Sequence, residues 1–267
     1  MLYTIIMNKI YTITPTWNAP SNIKAFTTLA FGGYSKNNYA NSPYGTGLNP
    51  ATHVGDDISD VLKNRQLISD ITTKDIVWLE QIHSTKFIDL DLNKNTDRIL
   101  QADASFCSTN DLACAVLTAD CLPLLVTDIN GSAVLAIHAG WKGLVNGIIE
   151  NSIGYFIQKL KVNASNILVW LGPAISPLAF EVGLEVKDIF IDKALNNEIK
   201  QTNAAFIQNN RKNCADLYKL AKIRLKRLEI LEKNIAGGDF CTFFDTRFYS
   251  YRRKKVTGRI ASIIYKI

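Results

Sequence analysis

One cysteine and two histidines, each at the end of an apolar run, constrain this chain more than any other feature. Cys121 sits in Thr118-Ala-Asp-Cys-Leu-Pro-Leu124, and His138 in Ile137-His-Ala-Gly-Trp-Lys-Gly143. His83 sits in Glu80-Gln-Ile-His-Ser84, just after the apolar run Ile76 to Leu79. The chain has only three histidines. A soft thiolate and two imidazoles at strand ends suit a three-ligand zinc site. Three protein ligands leave one position open, which marks a catalytic rather than a structural zinc. The bland alternative is a small buried hydrophobe at Cys121 and ordinary core or capping histidines. The separation of Cys121 and His138 does not fit a short zinc-finger pair. Asp120 stands next to the cysteine, where a carboxylate can orient a ligand.

The chain has 267 residues, enough for one large domain or two small ones. We expect a single catalytic domain over 1–267, with residues 1–21 as a peripheral N-terminal segment. A hydrophobic fraction of 47% over this length allows a core that needs no metal to stay folded. The net charge of +6 is modest, and its dense patches lie at Lys219 to Lys233 and Arg252-Arg-Lys-Lys255. The first patch reads as the solvated face of a helix, so nucleic acid is not an expected partner. Five cysteines, an odd number, and no secretory signal fit reduced thiols and a cytoplasmic location. Met7 is as good an initiator as Met1. No window has the roughly 18 uncharged apolar residues of a spanning helix, so no membrane partner is expected.

Strands are expected at 22–34, 75–82, 86–90, 102–107, 113–118, 122–128, 132–138, 167–171 and 259–265. Helices are expected at 56–71, 144–160, 182–195 and 213–231, the last started by Asp216. A polar loop over 35–52 holds Pro43, Gly45, Gly47 and Pro50. Strands in runs with helices between them indicate a mixed α/β (α+β) fold: one layered domain of mixed β-sheets flanked by helices.

Two further motifs suit anions. Gly140-Trp-Lys-Gly143 opens a helix after a strand, where backbone N–H groups can hold an anion. It lacks the ending of a Walker loop. Tyr249-Ser-Tyr-Arg-Arg253 sets two guanidiniums beside aromatics, a phosphate grip or a solvated basic turn. His53, before a helix start, suits either a cap or a contact to phosphate or ribose.

The stretches QIHS, TADCLPLLVTD, HAGWKG, GPAISPLAFEVG and FYSYRRKKVTGRIASII stand in this order in the chain. With His53-Val-Gly-Asp-Asp57 and Val61-Leu-Lys-Asn-Arg65, they resemble the bacterial laccase-domain proteins, once called multicopper polyphenol oxidases. The resemblance runs from about Phe26 to Ile264. It implies a layered α/β fold and a zinc-dependent purine nucleoside phosphorylase that also deaminates adenosine. The implied substrates are adenosine, inosine and S-methyl-5'-thioadenosine, with inorganic phosphate. The implied zinc ligands and catalytic residues are His83, Cys121 and His138. The implied substrate-binding residues are His53, Asn64, Arg65 and Arg252. One departure is Asn49-Pro-Ala-Thr-His53, where the family usually has a glycine, which puts the order of that loop in question.

Two other activities compete. Some relatives of this kind are described as peptidoglycan editing factors, so a hydrolase acting on a nucleotide-linked cell-wall precursor is one. A copper phenol oxidase is the other, but a multicopper cluster needs more than three imidazoles, and the only methionines are Met1 and Met7. Copper can still occupy the zinc ligands in vitro, because its affinity for such donors is higher. A non-enzymatic zinc-stabilised module would need a fourth ligand, for which Cys107 and Cys114 are the available thiols.

Overall fold

The structure is a computed structural model that describes residues 10–41, 45–93, 100–209 and 212–267. Met1, Met7 and Pro43 lie outside the described residues. Strands β1 (Thr12–Ile13) and β2 (Ile23–Thr28) precede helix α1 (Ile58–Thr72). Strands β3 (Asp75–Val77), β4 (Phe87–Asp89), β5 (Ala104–Cys107), β6 (Leu112–Thr118), β7 (Leu122–Asp128) and β8 (Val134–Ala139) follow. Helices α2 (Trp141–Asn146) and α3 (Ile148–Leu160) lead to β9 (Ile167–Leu171). The chain continues through β10 (Glu181–Val182), α4 (Leu184–Asp192), α5 (Ile199–Ala204), β11 (Phe206–Asn209) and β12 (Lys212–Ala215). It closes with α6 (Leu217–Arg227), β13 (Ile235–Gly237) and β14 (Ile260–Lys266).

Two large mixed sheets form, one ordered β1-β2-β14-β6-β3 and the other β13-β9-β7-β8-β5-β4, with a small sheet β10-β12-β11. Alternation along β6 fixes the layering, because successive side chains leave a strand on opposite faces. Cys114 and Val116 point into a cluster with Leu125, Val134, Ala136, Trp170 and Ile264, which joins the two large sheets. Ala113, Ala115 and Leu117 point the other way, with Phe26 and Ile263, onto Ile68 of α1. The far face of the second sheet carries Leu124, Val126, Leu135 and Ile137 against Ile153 and Phe156 of α3 and Leu220 of α6. Strand β7 is buried along its whole length, which is why its first five residues are a continuous apolar run. The mixed, layered α/β fold expected from the sequence is therefore observed.

Several boundaries differ from expectation. The 144–160 helix is two helices, split at Gly147, whose φ of 98° lies in the left-handed region. Residues 212–215 are strand, and α6 begins only after Asp216, which caps it by accepting from the Lys219 amide at 3.0 Å. The expected strand over 22–34 ends at Thr28, and that over 75–82 at Val77. The segment before residue 22 is not wholly peripheral: Thr12–Ile13 pair with β2, and Ile13 and Trp17 pack on the core. The short elements α5, β11 and β13 were not expected. No described helix is long and apolar enough to cross a membrane.

Candidate metal centre and active site

The chain changes sheets between β6 and β7, and Cys121 lies in that crossing. Register then places its partners. Pro123 pairs with His138 and Leu122 with Ala139, so the start of β7 lies beside the end of β8. His83 reaches the same spot from the loop after β3. Gln81 holds that loop: its side chain accepts from the Leu117 amide at 2.7 Å and donates to the Leu117 carbonyl at 2.8 Å. One side chain thus stands in for a strand partner at the end of β6.

The result is a three-donor cluster. The ligand atoms of His83, Cys121 and His138 all lie within 4.8 Å of one another. Cys121 Sγ is 4.0 Å from His83 Nε2. The two imidazoles meet edge to face at 4.7 Å between centroids. Ligands on a tetrahedral zinc sit roughly 3.5 Å apart, so the donors need only close in slightly. His138 is buried, Cys121 half-buried and His83 exposed, so the cluster is open on the His83 side. Gly140 forms its wall. A Cβ there would lie 3.0 Å from His83 Cδ2, 3.2 Å from Cys121 Sγ and 3.5 Å from His138 Cε1. Cys107 and Cys114 are buried in the inter-sheet core instead, and among the described residues no other group of three donors converges.

Asp103, just before β5, organises both histidines. Its carboxylate faces His138 Nδ1 at 2.8 Å and accepts from the amides of His83 at 2.9 Å and Ser84 at 2.6 Å. It also accepts from Ser84 Oγ at 2.8 Å. Sequence reasoning placed Asp103 inside a strand and missed this role. The available signal was an acid at the head of a strand whose other residues are all buried and uncharged. The carboxylate expected to orient the site, Asp120, faces away from the ligands. It accepts from Thr242 Oγ1 and from the Arg252 amide, both at 2.7 Å. Asp120 has a φ of 99° and His83 of 56°, so the backbone is strained at both ligand loops.

The electrostatics suit a thiolate. Burial alone would raise the Cys121 thiol, but His138 and His83 outweigh it and bring its pKa to about 6. Burial alone would lower His138, but the Cys121 thiolate and the Asp103 hydrogen bond raise it to about 9. Asp103 itself falls below the usual carboxylate range despite burial, because His138 and Ser84 donate to it.

The four expected substrate residues divide. Asn64 is fully buried. Its Oδ1 accepts from the Tyr34 amide at 2.8 Å, and its Nδ2 donates to Ser35 Oγ at 2.9 Å and the Asn49 carbonyl at 3.0 Å. Its amide therefore ties the 34–49 loop to α1 rather than facing a cleft. Arg252 spends its fork on carbonyls, Nη1 on Ala179 at 3.0 Å and Nη2 on Glu181 at 2.9 Å. Arg253 likewise donates to the carbonyls of Thr242 and Phe243, so this basic turn is largely a backbone clamp. Among the described residues Arg65 bonds only through Nε, to the Pro50 carbonyl at 2.8 Å, and stacks 4.7 Å from Trp78. Burial lowers its pKa to about 10. His53 is lowered by partial burial, then by Arg259 and Arg65. The departure at Ala51 costs nothing locally, because none of Pro50, Ala51 and Thr52 has a positive φ. Asn49 holds this turn through the Ala51 amide and carbonyl.

Beside Cys121 lies a cavity of about 180 Å³, lined by Trp141, Ile175, Phe180, Tyr251 and Arg252 among others. Aromatic walls next to a metal-ready thiolate suit a flat heterocycle. A larger cleft of about 760 Å³, edged by Lys219, Lys222 and Lys226, includes none of these residues.

Known proteins match this chain over nearly its whole length. The family model described as multi-copper polyphenol oxidoreductase laccase matches residues 24–266. A purine nucleoside phosphorylase of Pseudomonas aeruginosa is 41% identical over 95% of this chain and 97% of its own length. A protein of the same name in Escherichia coli is 40% identical over 96% and 98%. A crystal structure of a Neisseria meningitidis protein, 39% identical, superposes with a TM-score of 0.85 over 96% of this chain and 98% of its own. With a match that runs through both large sheets and all three converging donors, the chain belongs to the multi-copper polyphenol oxidoreductase laccase family.

Proposed function

We propose that this chain is a zinc-dependent purine nucleoside phosphorylase with adenosine deaminase activity. Its substrates are adenosine, inosine and S-methyl-5'-thioadenosine, with inorganic phosphate as the nucleophile for phosphorolysis. The observation that carries the reading is the convergence of His83, Cys121 and His138 beside an aromatic cavity. The names of the relatives from Pseudomonas aeruginosa and Escherichia coli support it. Two imidazoles and one thiolate fit zinc, and three histidines in the whole chain are too few for a multicopper cluster.

His83, Cys121 and His138 would hold the zinc, which would supply Lewis acidity and lower the pKa of a water. The protein's own groups do the rest. Asp103 keeps a proton on His138 Nδ1, which turns Nε2 toward the cluster. Trp141, Phe180 and Tyr251 offer faces for a purine base. In phosphorolysis a phosphate oxygen bonds to the anomeric carbon, and the glycosidic bond breaks with its electrons leaving on the base. In deamination water adds to the purine ring and ammonia leaves.

The test pairs metal analysis of the purified protein with product identification after incubation with adenosine and phosphate. Zinc together with adenine, ribose 1-phosphate and some inosine is the expected result. Parallel incubations with a nucleotide-linked cell-wall precursor and with a phenol plus oxygen check the editing and oxidase activities. Turnover of either of those, with no adenine formed, would overturn the reading.

A further inference from the structure

Two arginines are tethered to neighbouring residues of one turn, Arg65 by its side chain and Arg259 by its backbone amide. Arg65 reaches it from α1, with Nε on the Pro50 carbonyl at 2.8 Å. Arg259 reaches it from the residue before β14, with its amide on Asn49 Oδ1 at 3.0 Å. The β14–β6 register pairs Ile260 with Thr118. Arg259 therefore lies beside the segment Ala119-Asp-Cys121 that enters the metal cluster. Both side chains are half-buried.

Neither guanidinium has a carboxylate partner among the described residues. Arg65 has committed only Nε, and among the described residues no bond engages its two Nη groups. Arg259 has committed only Nη1, to the carbonyls of Thr257 at 3.1 Å and Gly258 at 3.0 Å. Its Nη2 and Nε have no partner among the described residues. Partly desolvated cations with no carboxylate in hydrogen-bond contact are costly. An anion held by both would lower that cost. By contrast, Arg252, the other candidate, has both Nη groups on backbone carbonyls. His53 follows the same turn, and both arginines lower its pKa after partial burial does, which agrees with their converging there.

We propose that Arg259 and Arg65 are the two arms of an oxyanion site beside the metal cluster, which takes inorganic phosphate with His53 at its edge. The proposal deepens the phosphorylase reading and rests on it for the identity of the anion. Guanidinium forks match tetrahedral oxyanions with paired N–H donors, which a lysine cannot reproduce.

The test measures phosphate binding directly and through turnover. Inorganic phosphate is titrated calorimetrically into the purified wild type, Arg259→Gln, Arg259→Lys and Arg65→Gln, at fixed ionic strength. Each Gln variant is expected to weaken phosphate binding roughly 10- to 100-fold, with a matching rise in the phosphate KM. Arg259→Lys is expected to fall between wild type and Arg259→Gln. Wild-type crystals soaked in phosphate cover the case in which a variant fails to fold, and density bridging Arg259 and Arg65 is expected. Density at Arg252 and Lys255 instead, or an unchanged phosphate affinity in both Gln variants, would overturn the site while leaving the phosphorylase reading intact. Phosphate bound between the two arginines of a protein that never forms ribose 1-phosphate would uphold the site and overturn that reading.

Discussion

Asp103 grips His138 twice: its carboxylate lies 2.8 Å from the ring Nδ1, and its carbonyl accepts the His138 amide at 2.7 Å. The same carboxylate accepts from the amides of His83 and Ser84. One acid therefore sets the tautomer of one metal-facing histidine and the loop of the other.

Replacing this acid with its amide tests that dependence. Asp103→Asn turns one acceptor into a donor that faces groups already donating. Zinc affinity should fall about 10- to 100-fold, and stability by roughly 1–3 kcal/mol. Chelator competition and thermal melting give the two numbers. Unchanged zinc affinity would show that the histidines are held without Asp103.

Gly140 is the second lever. A methyl group there meets all three ligand side chains at 3.0–3.5 Å. Gly140→Ala should cost roughly 1–3 kcal/mol as overpacking and push the donors apart. Metal content after dialysis should fall well below one per chain. A fully loaded, normally stable Gly140→Ala protein would count against the described wall.

The ligand pKa values set a pH dependence. Zinc must displace the protons its ligands carry. Cys121, lowered to about 6, is already a thiolate above that pH. His138, raised to about 9, still holds a proton that must leave. Zinc affinity should therefore rise about tenfold per pH unit between pH 6 and 8, and more steeply below pH 6, where both protons must go. Competition against a chelator of known proton dependence measures the slope. A flat response from pH 6 to 8 would mean that His138 is not protonated there.

Much of the site was legible because its residues sit at the ends of strands that read clearly. The apolar runs 122–128 and 167–171 matched the observed strands because covered faces leave no alternation to misread. The ligand loops ended them at polar, turn-forming residues. Asp103 was not legible, because its partners are a ring and two amides from distant segments, and no local pattern reports them. Arg259 was hidden for a related reason: it read as the first residue of a closing strand, while its importance comes from Asn49 and the β14–β6 register. At Asn64 and Arg252 the sequence reports polarity but not pairing. Their side chains are polar and near the right segments, but backbone groups already occupy their donors. The split at Gly147 was missed because the apolar pattern continues across it, and only the left-handed φ interrupts the helix.

We read the His83, Cys121 and His138 cluster as a catalytic metal site and not a prop for the fold. Its most direct test compares wild type with Cys121→Ala for bound zinc, phosphate-dependent release of adenine from adenosine, and cooperative thermal unfolding. About one zinc per wild-type chain is expected, since three protein ligands define a single site. In Cys121→Ala, loss of zinc and of nearly all adenine release is expected. Cooperative unfolding should persist, because a core of this size does not depend on the metal. Adenine release that persists in Cys121→Ala, or loss of the fold together with the zinc, would contradict that reading.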